Sequence, residues 1–222
     1  MTMETTLYHG SERIVERPEF GAGNRRNDYG LGFYCTESLD LAREWASSET
    51  KDGFVNQYSI DLDNLKVLKL NDLKYSILNW LAILLENRTF DLKTSVSIQA
   101  REYLLANHLP DYQSYDVIVG YRADDSYFSF SRAFLENGIS LSQLQRAMYL
   151  GKLGEQVVLK SEKAFERIKF ERYIPTDSDI YYPRRMARDR QAREAYFKML
   201  EETEENGAIY MIDLIRQGNA SI

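Results

Sequence analysis

The sequence predicts an α+β fold: a mixed β-sheet core, surrounding helices and a helical C-terminal extension. Segments of strand period and of helical period alternate irregularly, unlike the strict strand–helix repeat of a doubly wound sheet. No glycine-rich phosphate loop leads from a strand into a helix. At 222 residues, 44% hydrophobic and 13% aromatic, the chain has material for a packed core with an appendage.

Residues 6–9 make an opening strand, and residues 11–27 a polar loop holding Pro18, Gly21 and Gly23. Residues 32–36 form a second strand. Ser38 then caps a helix with Leu39, Ala42, Trp45 and Ala46 on one face, which braces that strand. Phe54, Tyr58, Ile60 and Leu62 lie at even spacing and residues 65–70 repeat the pattern, so a hairpin or adjacent strand pair turning at 61–64 is expected. From Asp72 the period changes, and Leu73, Ile77, Trp80, Leu81, Leu84 and Leu85 form a helical stripe ending near Asn87 and Arg88. A weaker helix covers 94–107. Residues 115–120, apolar and bounded by turn-formers, read as a buried central strand.

Residues 126–136 are helical and stop at Gly138, which suits a left-handed cap. Ser140 opens a helix with Leu141, Leu144, Ala147 and Met148 inward, closed by Gly151. A strand at 155–160, a short helix at 161–167 and a strand at 168–174 complete a domain over residues 1–175. Residues 176–222 are the extension: a charge-rich segment from Pro183 to Glu205, then a helix at 208–216 after Gly207. This pair packs on the domain or meets a partner.

A net charge of −6 argues against a protein that coats nucleic acid by charge. Arg184, Arg185, Arg188, Arg190 and Arg193 form a local positive cluster that could meet an RNA, an acidic partner or the acidic run 201–205. Intramolecular or solvated roles weigh more than nucleic acid. One cysteine excludes an internal disulfide, and two histidines give no zinc spacing, so no metal is expected. Cys35, between Tyr34 and Thr36, reads as a buried structural thiol. There is no leader pattern, and the longest apolar stretch, 77–85, is too short and interrupted to span a bilayer. A cytoplasmic protein without a membrane partner is expected.

Two stretches carry the functional signal. Tyr8-His9-Gly10 ends an apolar run with a histidine and a glycine that lets a ligand approach the backbone. Asp28-Tyr29-Gly30-Leu31-Gly32-Phe33-Tyr34-Cys35-Thr36 packs glycines among aromatics. Together they describe a cleft with a hydrogen-bonding histidine, bare backbone and aromatic faces, suited to a flat polar ring. A lone histidine at a strand end is more often structural, and Tyr34 alone would be a core aromatic. Gly30 and Gly32 mark either a bulge or a place where a ligand lies against a strand. Arg25 and Arg26 lie where a diphosphate could reach them, or are solvated. His108 suits a helix end, and Asp124 and Asp125 a cap more than a cation site.

Tyr8-His9-Gly10-Ser11, the run 28–36, residues 115–120 with Ala123-Asp124-Asp125, and Gln156-Val157-Val158-Leu159 followed by Lys163-Ala164 together resemble the bacterial family DUF3990 across roughly residues 5–170. That family is similar in turn to the diphtheria-toxin-like ADP-ribosyltransferases. The resemblance implies a split mixed sheet around an NAD cleft, with no metal. His9 would hydrogen-bond a ribose hydroxyl, Gly10 would present its backbone to the carboxamide, Tyr34 would stack on nicotinamide, and Tyr29 would be a second aromatic wall. Arg26 and Gly32 would border the dinucleotide. The third catalytic position falls at Gln156, where the superfamily carries a glutamate that stabilises the positive sugar by charge. Neighbours on a strand face opposite ways, so Glu155 or Gln156 enters the cleft, and the resemblance favours Gln156. Slower chemistry, a charge supplied by the substrate, or NAD binding without transfer would each follow. The implied function is transfer of ADP-ribose from NAD to an unidentified macromolecule, protein or nucleic acid, as the toxin of a toxin–antitoxin pair whose antitoxin is a separate protein. A silent NAD-binding adaptor and an NAD glycohydrolase are the alternatives.

Overall fold

The computed structural model describes residues 4–123, 125–152, 154–202 and 207–219. It is a mixed α and β architecture with two sheets. The first sheet is antiparallel, in the order β1 (Glu4–Ser11), β3 (Gly53–Asp61), β7 (Ile168–Thr176). The second runs β2 (Phe33–Cys35), β6 (Glu155–Leu159), β5 (Val117–Tyr121), β4 (Val67–Lys69), with β4 and β5 parallel and the other pairs antiparallel. Among the described residues one bridge joins the sheets: the Tyr8 amide donates to the Thr36 carbonyl at 2.8 Å, and the Thr36 amide returns a bond at 2.9 Å.

Alternation along the strands builds two larger cores, beside a small cluster of Val55 with Ala42 and Ala46. Leu7, Ile60, Cys35, Val117, Val157 and Leu159 fill the space between the sheets. Val158 and Ile118 face the other way, into the larger core made with the helices. Its centre is α2 (Ile77–Asn87), buried nearly all round, against α3 (Ser95–His108). Each of these helices starts at a reciprocal cap, Ser76 with Asn79 and Thr94 with Ser97, which satisfies amides that the first turn leaves orphaned. Helices α4 (Asp125–Leu135) and α5 (Leu141–Ala147) close another side of this core.

Ser38 caps α1 (Leu39–Ala46) as expected, its hydroxyl accepting from the Leu41 amide at 3.3 Å. Central strand β5 and the short α6 (Glu162–Phe165) also follow the sequence. Three readings are corrected. The segments near 54–62 and 65–70 are not a hairpin: β3 belongs to the first sheet and β4 to the second, so the 62–66 link crosses between them. Leu73 lies before the helix and is fully exposed, because the stripe begins at Ile77. The left-handed residue after α4 is Asn137, with φ of 64°, not Gly138.

Helices α7 (Ser178–Leu200) and α8 (Met211–Asn219) pack on the rest of the chain. Tyr196, Met199, Met211 and Ile215 sit in the main core, and Tyr196 stacks on Phe130 at 4.2 Å. Arg188 clamps the buried Glu44 of α1 through two bonds of 2.8 and 2.7 Å. Arg193 pairs with Asp189, and Arg184 lies over the Tyr181 ring. Much of the basic cluster is therefore engaged within the chain. Glu202 pairs with Arg146, while Glu204 and Glu205 lie outside the described residues. No described helix is long and apolar enough to cross a membrane.

Candidate functional site

Strands β1, β2 and β6 bring His9, Tyr34 and Gln156 to one cavity of about 280 Å³. A second cavity, of about 580 Å³, shares His9, Asn27 and Tyr34 with the first and extends under the 11–23 loop, where Arg13 and Arg17 line it. The two cavities thus adjoin along His9, Asn27 and Tyr34.

The His9 ring is placed by two contacts. Its Nδ1 lies 2.7 Å from the Tyr34 carbonyl oxygen and its plane packs on Phe33 at 4.4 Å. A carbonyl can only accept, so Nδ1 carries the proton and neutral Nε2 is a bare acceptor. Burial lowers the imidazole pKa, against the carbonyl's opposite pull and with help from Arg13, which keeps the ring neutral.

Tyr34 lines both chambers, but its hydroxyl is committed. It donates to the Gly30 carbonyl at 2.6 Å and accepts the Tyr29 amide at 3.0 Å. Burial raises its pKa, so the phenol stays neutral and the ring offers a surface, not a proton. Lys160 donates to the carbonyls of Tyr29 and Leu31 at 2.5 and 2.6 Å and so fixes the same loop; burial lowers its pKa to about 8.

Gln156 is buried on the face of β6 shared with Val158, and lines the smaller chamber. Its Nε2 donates to Asp28 Oδ2 at 3.1 Å. Glu155 lies outside this chamber's lining, as alternation requires. Asp28, which opens the glycine–aromatic run, is the principal site residue to which sequence alone assigns no role. Besides Gln156, its Oδ2 accepts the Ala123 amide at 2.9 Å, and its Oδ1 takes Arg88 Nη1 at 3.0 Å. Burial raises the Asp28 pKa, while the Ala123 amide, Arg88 and Gln156 pull it down. Arg88, at the C-terminal cap of α2, and Arg122, 3.8 Å above the Trp45 ring, add positive charge to the chamber. Nothing in the local sequence marks either arginine, since both arrive through long-range packing.

Other expected site residues fall differently. Tyr29 is no wall of the cavity: it is fully buried and its hydroxyl donates to the Tyr121 carbonyl at 2.6 Å. Arg26 is exposed and borders neither chamber, because the Asn24 turn directs its segment outward and only Asn27 reaches inside. Gly10 borders the smaller chamber, yet a side-chain carbon there would collide with the Ala42 carbonyl and the Ala46 amide, so α1 demands the glycine. Gly32 borders the larger chamber and is held tight against Val158 and Leu159. Cys35 is buried, with its thiol pKa raised by burial. His108 ends α3, its carbonyl accepting from Asn79, and Asp124 lies outside the described residues. Among the described residues no three His, Cys, Asp or Glu side chains gather as metal ligands.

Residues 5–170 match the family described as "Protein of unknown function (DUF3990)", and the chain belongs to that family. No curated protein and no solved structure matches the chain.

Proposed function

We propose that the protein is an NAD-dependent ADP-ribosyltransferase. The observation that supports this best is the convergence of His9, Tyr34 and Gln156, from three strands, on one cavity, whose His9 and Tyr34 also border a second. In this reading the two sheets, joined at Tyr8 and Thr36, are the split sheet of that superfamily. The smaller chamber takes nicotinamide and its ribose. The larger one, with Arg13 and Arg17, takes the ADP half, because arginine forks match phosphate oxygens.

Each side chain then has one task. The Tyr34 ring stacks on nicotinamide. His9 Nε2 accepts from one ribose hydroxyl and Gln156 Oε1 from another. The glycosidic C1′–N bond breaks with its electron pair passing to the nicotinamide ring, which leaves neutral. The acceptor's nucleophile bonds to C1′ and gives up its proton to solvent. The acceptor is a macromolecule, and the biological role is that of a bacterial toxin held in check by a separate antitoxin protein.

Calorimetric titration with NAD tests the binding half. Wild type binds, Tyr34→Ala weakens binding by roughly tenfold or more, and His9→Ala weakens it as well. Wild-type protein that gives no heat with NAD and gains no thermal stability from it would overturn the reading. One observation favours a second reading: Gln156 is a neutral amide where the superfamily's carboxylate would stand, which suits a silent NAD-binding module. NAD binding without nicotinamide release would select it. Free ADP-ribose as the sole product would instead mark an NAD glycohydrolase.

A further inference from the structure

We propose that Asp28 is the positioning carboxylate of this site, acting through Gln156 to place a fixed acceptor and a negative charge beside the nicotinamide ribose; the inference rests on the transferase reading above. A carboxylate only accepts hydrogen bonds, so Asp28 Oδ2, 3.1 Å from Nε2, determines which end of the Gln156 amide faces it. The Gln156 carbonyl is left as the acceptor for a ribose hydroxyl. Without Asp28 the amide could turn and present its NH₂ to a sugar that becomes positive, which would oppose the reaction. The buried carboxylate also polarises the amide it holds through Oδ2, while Arg88 balances part of its charge at Oδ1.

The support around Asp28 is that of a preorganised group. Ala123 donates to the same oxygen at 2.9 Å, and Arg88 binds the other oxygen at 3.0 Å. Lys160 and the Tyr34 hydroxyl hold the backbone of the next three residues, so Asp28 cannot drift when the chamber fills. The step served is balanced as before: C1′–N breaks, the pair goes to nicotinamide, and the acceptor's bond to C1′ replaces it.

A charge exchange between neighbours tests this. Asp28→Asn keeps the shape and lets the amide oxygen still accept from Ala123, but removes the charge. Asp28→Asn/Gln156→Glu returns a carboxylate one side chain along; to pair with it the amide introduced at position 28 turns its NH₂ toward the new carboxylate and gives up the Ala123 bond, because both bonds meet at Oδ2. Nicotinamide release and KM for NAD are measured for wild type, Asp28→Asn and the double variant. Asp28→Asn should lose about 100-fold in kcat while KM changes less than about threefold. The double variant should recover at least about tenfold of that loss. An Asp28→Asn kcat within about threefold of wild type overturns the proposal. So does a folded double variant that stays as slow as the single, since a purely structural role predicts no rescue. If Asp28→Asn does not fold, the double variant decides alone: folded and within about tenfold of wild type supports the assignment, folded and inert overturns it. Failure of the transferase reading looks different, because wild type itself then releases no nicotinamide, and the proposal falls with it.

Discussion

His9 carries the site's clearest residue-level consequence. Burial keeps its folded pKa below 6.5, so as pH falls through 6.5 the unfolded chain takes up a proton that the folded chain refuses. The stability this group contributes is full above pH 6.5 and is lost on acidification. Denaturant unfolding across that window should show a positive slope of stability with pH, shallower in His9→Gln. His108, also lowered by burial, supplies a remainder. Equal slopes for His9→Gln and wild type would contradict the assignment. His9 and Tyr34 are legible because a short motif puts chemistry beside glycine. Asp28 sits in the same motif, but a carboxylate at the head of a loop does not announce partners far along the chain, on β6 and just after β5. Tyr29 misleads for the converse reason: aromatics in a cleft motif look alike until β5 and α2 bury one of them.

Elements hold these residues in place through a few contacts with measurable cost. Gly10→Ala drives a methyl into the α1 backbone and should cost about 1–3 kcal/mol, read from the denaturation midpoint. Wild-type stability for Gly10→Ala would mean that α1 stands further from β1 than described. Arg188→Met leaves Glu44 buried without its two-bonded partner, for which about 3 kcal/mol is expected. A loss below about 0.5 kcal/mol would place this clamp among exposed surface pairs instead. Helices α1 and α5 are readable because polar caps and apolar periods coincide at Ser38 and Ser140, whereas α2 is readable from its apolar stripe but not in its start at Ser76, and α3 shows little apolar period to read. Strand pairing is not, since β3 and β4 have the same even period whether they pair with each other or with strands much further along the chain.

For the molecule as a whole, the match to DUF3990 ends at residue 170 while the core runs on through α7 and α8. A chain stopped after residue 177 would uncover Phe130 and lose the packing of Tyr196, Met199, Met211 and Ile215. It should fail to melt cooperatively, or melt far below the full chain. A truncated chain with an unchanged melting temperature would make the extension dispensable to the core. An α+β arrangement can be read from irregular alternation of periods, whereas the division into two sheets joined at Tyr8 and Thr36 depends on long-range register. If the cavity where His9, Tyr34 and Gln156 meet splits NAD, the reaction to measure is nicotinamide release from NAD. Purified wild-type protein is assayed with and without bacterial lysate, beside His9→Ala and Gln156→Ala. Release should require lysate and be lost in both variants. No release under either condition, or equal release from all three proteins, would contradict it.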